Sequence, residues 1–142
     1  MTSRKDSGRK SEQKVLAQHR ALREQITALR ESKDSKALLD QLRSFRGSLS
    51  EHFCVEEAAG GFYASVILIA PRHQSVLDGL CTEHQELLQD TDELIARITD
   101  DGDDFVAVRK DALHICERLE KHEAQENEIL QEVMNTDIGV GD

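Results

Sequence analysis

Tryptophan is absent from this 142-residue chain, proline occurs once, and aromatic residues make up only 4%. A β-sandwich or barrel would draw on more β-branched and aromatic residues, so the shortage favours helices. Long apolar runs are missing too. The longest, Val66–Ala70, falls far short of the roughly 20 residues of a spanning helix, so no membrane partner is expected. Positive charge is scarce: 18 Lys and Arg face 28 Asp and Glu, for a formal net charge of -10. That balance argues against a nucleic-acid partner, which would need a basic face. The basic residues near the start (Arg4, Lys5, Arg9, Lys10 and Lys14) are interleaved with Ser and Asp and read as a solvated, frayed tail. The three cysteines, Cys54, Cys81 and Cys116, are an odd count without tight spacing. With no secretory-type apolar segment, free thiols in a reducing cytoplasm are expected, each acting as a small buried apolar residue.

What the chain has is helical periodicity. Val15, Leu16, Leu22, Ile26 and Leu29 recur at three- and four-residue steps from about Ser11 to Arg30, and His19 shares their stripe. Ser32–Ser35 is a break with capping residues. A second stripe carries Leu38, Leu42, Phe45, Leu49, His52, Glu56 and Ala59. Gly60 and Gly61 then weaken the helix, and Phe62–Ala70 reads as its distorted end. Pro71 suits the first turn of a third helix, whose stripe is Leu77, Leu80, Cys81, His84, Leu88 and Ile95. After a connection at 100–104, Val108, Ala112, Ile115, Leu119, His122, Glu126 and Ile129 line the last helix. Connections this short force successive helices to run antiparallel. The expected fold is all-α, an up-down-up-down antiparallel four-helix bundle over residues 11–135, with flexible tails at 1–10 and 136–142.

The pattern His-x-x-x-Glu occurs twice, as His52 with Glu56 and His122 with Glu126. Residues four apart lie one turn above each other on one helical face, so each pair aims an imidazole and a carboxylate at one spot. His19 and His84 sit singly on the other two stripes. Counting from the connections at about 1.5 Å per residue brings all six to within one or two turns of a common height. Four histidines and two glutamates on four inward stripes are a ligand set for two metal ions. Burying Glu56 and Glu126 without a cation would be costly or would force their protonation, and two divalent ions remove that cost. His73 lies roughly 16 Å along the axis from His84 and is too distant. His114 is off its stripe, and Glu57 and Glu128 point to other faces and read as solvated. Tyr63 either approaches the site or closes the core. Cys81, one turn before His84, would stand near a metal rather than bind it. His122-Glu123 begins like a zinc-protease helix but lacks the second histidine, and no ferritin-type Glu-x-x-His repeat, phosphate loop or nucleophile elbow is present.

Together, His19 in Ala-Gln-His-Arg-Ala-Leu, His52-Phe-Cys-Val-Glu56, His84 in Thr-Glu-His-Gln-Glu-Leu-Leu and His122-Glu-Ala-Gln-Glu126 resemble the hemerythrin-like HHE cation-binding family, from about Val15 to Val133. The resemblance implies a four-helix bundle around two iron ions, a non-haem di-iron centre with an oxo or hydroxo bridge. Glu56 and Glu126 would bridge the irons, and His19, His52, His84 and His122 would be terminal ligands. Oxygen-carrying members have a second histidine one turn from the third-helix histidine, where this chain has Leu80 and Leu88. Their last carboxylate sits five residues after its histidine, not four. The set is more similar to the branch with four histidines and two glutamates. The function it implies is binding of, or reaction with, dioxygen, peroxide or nitric oxide, in sensing or peroxide detoxification. Whether catalase-like or oxidase turnover accompanies binding is left open. An iron-responsive regulatory module whose fold is locked by metal is the alternative.

Overall fold

In the computed structural model, residues 4–101 and 104–137 are described, with side chains for 13–100 and 104–135. The helices are α1 (Arg4–Arg30), α2 (Ser35–Glu57), α3 (Phe62–Ile69), α4 (Gln74–Ala96) and α5 (Phe105–Asp137). No strand occurs among the described residues. α1 begins at Arg4, upstream of the start expected at Ser11. Of the tail expected at 136–142, the first two residues belong to α5 and the rest lie outside the described residues.

Helix boundaries follow local chemistry. Asp34 caps α2 by accepting from the Ala37 amide at 2.8 Å, the orphan-donor satisfaction expected of an N-cap aspartate. After Glu57 the chain turns extended at Ala58, and Gly60 adopts a φ of 79° that an ordinary side chain would resist. A Cβ at Gly61 would run into the Val55 carbonyl oxygen. The chain therefore breaks here, and Phe62–Ile69 forms a separate short helix rather than a distorted end of α2. Pro71 opens a single 3-10 turn, Pro71–His73, that leads directly into α4. By length and mean hydropathy, Ser35–Ile69 is apolar enough to be weighed as a membrane span. The break at Ala58–Gly61 divides it into α2 and the short α3, and each of the two turns buried residues into the core.

Side-chain links fix the directions. Gln25 reaches Ser48 and Gln18 reaches His52; Arg46 meets Asp92 and Glu57 meets His84; Arg97 meets Asp111 and Arg118 meets Asp90. In each pair of helices the numbers rise on one as they fall on the other. The four long helices are thus antiparallel in the order α1, α2, α4, α5, and α5 closes onto α1 through Arg109 to the Arg30 carbonyl.

Two apolar clusters fill the interior. One, with Leu22, Leu38, Phe45, Leu94 and Leu119, occupies the α1–α2 turn end. The other, with Val15, Phe62, Val66, Leu77 and Ile129, lies beneath α3. On α1, α4 and α5 the candidate residues fall between members of the two clusters. Some expected stripe members are off the core. Leu16 and Ala59 are exposed, Cys54 is exposed and Cys81 half-buried. On α4 the buried line passes through Leu87, Thr91 and Leu94 instead of Leu88 and Ile95, the consequence of a straight helix drifting from the assumed register.

Candidate metal centre

His19, His52, Glu56, His84, His122 and Glu126 come together in the polar layer, and none is more than 2% exposed. Donor atoms of His19, His52, Glu56 and Glu126 lie within 4.8 Å of one another, as do those of Glu56, His84, His122 and Glu126. Both glutamates belong to both groups. Glu56 Oε1 is 3.3 Å from His52 Nε2 and 3.3 Å from His84 Nε2, and Glu56 Oε2 is 3.9 Å from His19 Nε2. Glu126 Oε1 accepts from His19 Nε2 at 3.1 Å, and its Oε2 lies 3.4 Å from His122 Nε2.

The outer ring nitrogens explain how the inner ones are aimed. His52 Nδ1 donates to Gln18 Oε1 at 2.6 Å, His84 Nδ1 to Glu57 at 2.8 Å, and His122 Nδ1 to Glu83 at 2.5 Å. Each acceptor lacks a proton to give, so in the neutral imidazoles the Nε2 lone pair faces the centre. Phe53 stacks on the His84 ring at 3.8 Å and holds its plane. His19 is turned the other way: its Nε2 donates to Glu126, and its Nδ1 is buried without a partner.

Sequence reasoning missed most of these supports. Glu57, taken as solvated, is half outside yet bonded to His84. Gln18 and Glu83 flank ligand positions by one residue, and only the neighbouring helix shows what they touch. Tyr63 does approach the layer: its hydroxyl donates to Glu126 Oε2 at 2.7 Å and lies 3.0 Å from His84 Nε2. Glu123 is buried as well, with Oε1 unpartnered. Its signal was its place between His122 and Glu126, on the flank turned to α1. His73 pairs with Glu132 near the bundle end, and His114 is on the surface, both as expected.

The electrostatics are those of a layer short of positive charge. Burial, with the carboxylate of Glu126 beside it, pushes Glu56 far above its ordinary value of 4.5. Burial acts the same way on Glu126, but the His122 and His19 rings beside it outweigh burial and hold that carboxyl low. Burial drives His52 down to about 3 and lowers His84. His122 is raised, its bonds to Glu126 and Glu83 overcoming burial. Burial, with Glu57 close by, pushes the Cys81 thiol up to about 12.

These residues fit a bound cation. Neither oxygen of Glu56, nor His52 Nε2, has a hydrogen-bond partner, although all are buried. His84 Nε2 and His122 Nε2 face each other at 3.0 Å, an approach of two lone pairs that a proton or a cation must relieve. Donors at about 2.1 Å from an ion stand about 3.0 to 3.4 Å apart at right-angled to tetrahedral openings. The spacings between 3.0 and 3.4 Å here already match. Nitrogen and carboxylate donors together suit iron, zinc or manganese.

A family model for the hemerythrin HHE cation binding domain matches residues 12–134. No curated protein and no solved structure gives a significant match. The matched span takes in α2, α4, most of α1 and α5, and all six buried donors, and the chain belongs to the hemerythrin HHE cation-binding domain family.

Proposed function

We propose that the chain is a non-haem di-iron protein that binds or reacts with dioxygen, peroxide or nitric oxide. The observation that carries this is the pair of four-donor groups sharing Glu56 and Glu126. In this reading His19 and His52 would hold one ion and His84 and His122 the other, with Glu56 and Glu126 able to serve both. A pair of irons supplies two adjacent one-electron centres able to share a small oxygen or nitrogen species. The protein's part is to orient, exclude and protonate. Gln18, Glu57 and Glu83 lock three imidazoles with Nε2 inward. Phe53 and the leucine stripes keep bulk water out, which strengthens every charge interaction in the layer. Tyr63 places a phenolic proton at the edge of the layer, within reach of both Glu126 and His84. A hollow of about 330 Å³ between Lys14, Val15, Val55 and Phe62 lies beside the end of α2, and none of the six donors lines it.

The first test is elemental analysis of untagged protein expressed with iron. The expected result is two irons per chain, lost together in His52→Ala and in Glu126→Ala. Sub-stoichiometric metal that ignores both substitutions would end the di-iron reading. Iron-dependent consumption of peroxide would then mark an enzyme, and a spectral change without turnover a carrier or sensor.

A second reading, an iron-responsive regulatory module, is favoured by the unpartnered oxygens of Glu56. A layer this poorly satisfied without metal makes the fold depend on iron, so that iron loss alters the surface a partner meets. Equal melting temperatures with and without iron would exclude it.

A further inference from the structure

The six inner donors are sealed from solvent, so an ion must first be held somewhere outside them. Among the described residues, one group of three donors extends beyond the buried layer: Glu57, Cys81 and His84. Their donor atoms lie within 4.8 Å of one another, Glu57 is 40% exposed and Cys81 half-buried. The group runs from solvent to the back of the His84 ring. Behind His52 stands a neutral amide, Gln18, and behind His122 the carboxylate of Glu83; only His84 is backed by both a carboxylate and a thiol.

We propose that Glu57, Cys81 and the outer nitrogen of His84 form a loading site, where a divalent cation docks before passing to the buried layer. The proposal rests on the inner donors holding metal. Thiolate, imidazole and carboxylate are together a set for a borderline ion such as Fe²⁺, Co²⁺ or Zn²⁺. Proton balance makes the site a stage and not a resting place. To bind outside, the ion takes the Cys81 sulfur as thiolate, releasing that proton to solvent, while the His84 proton moves from Nδ1 to Nε2. Tyr63 oxygen and His122 Nε2 both stand 3.0 Å from Nε2 and can accept from it. When the ion moves inward, Nε2 must be bare. The proton returns to Nδ1, where Glu57 accepts it at 2.8 Å, and Cys81 regains its own. One ring cannot serve both positions as a neutral imidazole, so filling the inner site empties the outer one.

Cobalt(II) mixed with metal-free protein reads this directly, because the buried layer has no sulfur donor. A near-ultraviolet thiolate-to-cobalt band should rise early and decay as cobalt moves inward. It should be absent in Cys81→Ser and retained in Cys54→Ser, which tests the exposed thiol. Cys81→Ser should load at least several-fold more slowly and yet reach the wild-type metal content and holo melting temperature. A band that survives in Cys81→Ser, or equal loading rates in the two proteins, overturns the proposal. Failure of the inner reading has a different signature: wild type and Cys81→Ser would both end without metal that resists gel filtration.

Discussion

Replacing Glu56 with Gln should have opposite effects in the metal-free and metal-loaded protein. In the metal-free protein Glu56 is fully buried and held far above its ordinary value of 4.5 by burial and by Glu126. At pH 7 it is therefore neutral when folded and ionised when unfolded. Folding must supply that proton, at a cost of about 1.4 kcal/mol for each pH unit above 4.5, or about 3 kcal/mol at pH 7. Gln is neutral in both states and of the same shape. Metal-free Glu56→Gln should accordingly gain about 2 to 3 kcal/mol, a rise of roughly 5 to 10 °C in melting temperature for a chain of this size. The sign with pH follows: the folded state keeps a proton that the unfolded state loses, so wild-type stability falls as pH rises. Between pH 7 and 9, where unfolded histidines are already mostly neutral, the decline due to Glu56 is about 1.4 kcal/mol per unit, and the variant should lack it. With metal the ranking reverses. Ions at about a thousandfold excess over their dissociation constant add about 4 kcal/mol per site to the wild type, whereas an amide cannot serve as an anionic bridge. Urea unfolding with and without chelator, at pH 7, 8 and 9, measures all of this. A metal-free variant less stable than wild type, or one that binds metal as wild type does, would refute the reasoning.

Tyr63→Phe removes the donor to Glu126 and leaves the ring in place, so it should cost about 1 kcal/mol and retain the metal while shifting the visible spectrum. Gly61→Ala would drive a Cβ against the carbonyl oxygens of Val55, Ala58 and Glu56. It should cost roughly 2 kcal/mol or more and lower metal content by displacing the end of α2. Gly47, exposed in α2 with nothing near its missing Cβ, gives the opposite outcome: Gly47→Ala should stabilise by about 0.5 to 1 kcal/mol in chemical denaturation. Burial pushes Glu123 up to about 7, so it keeps its proton when folded between pH 4.5 and 7 and subtracts stability as pH rises through that window. Metal-free Glu123→Gln should remove a decline of up to about 3 kcal/mol there and leave the slope above pH 7 unchanged; parallel wild-type and variant curves across pH 5 to 7 would contradict this.

The sequence presents the site as two equal halves, and that symmetry is where its legibility ends. Each half is a lone histidine and a His-x-x-x-Glu pair, and helical periodicity alone was enough to bring all six onto one layer of an antiparallel bundle. Periodicity reports which face a residue takes on its own helix. It is silent on what crosses from the next helix, and there the halves differ. His52 is backed by the neutral amide of Gln18, and His19 Nδ1 by no partner at all. His84 and His122 are backed by the carboxylates of Glu57 and Glu83, and Tyr63 stands on their side. A carboxylate behind an imidazole makes it a stronger donor. Two of them, partly exposed, place negative charge behind one pair of histidines that the other pair lacks. Two ions held as proposed would meet unequal fields, the one at His84 and His122 being better able to bear extra positive charge. The asymmetry arises from residues beside the motif, Gln18, Glu57 and Glu83, whose importance lies in the helix they face and not in the stripe they occupy. The same limit hid the break after Glu57: the two glycines announced weakness, but only the carbonyls of Val55, Glu56 and Ala58 closing on Gly61 turn weakness into a separate helix that lays Tyr63 over the site.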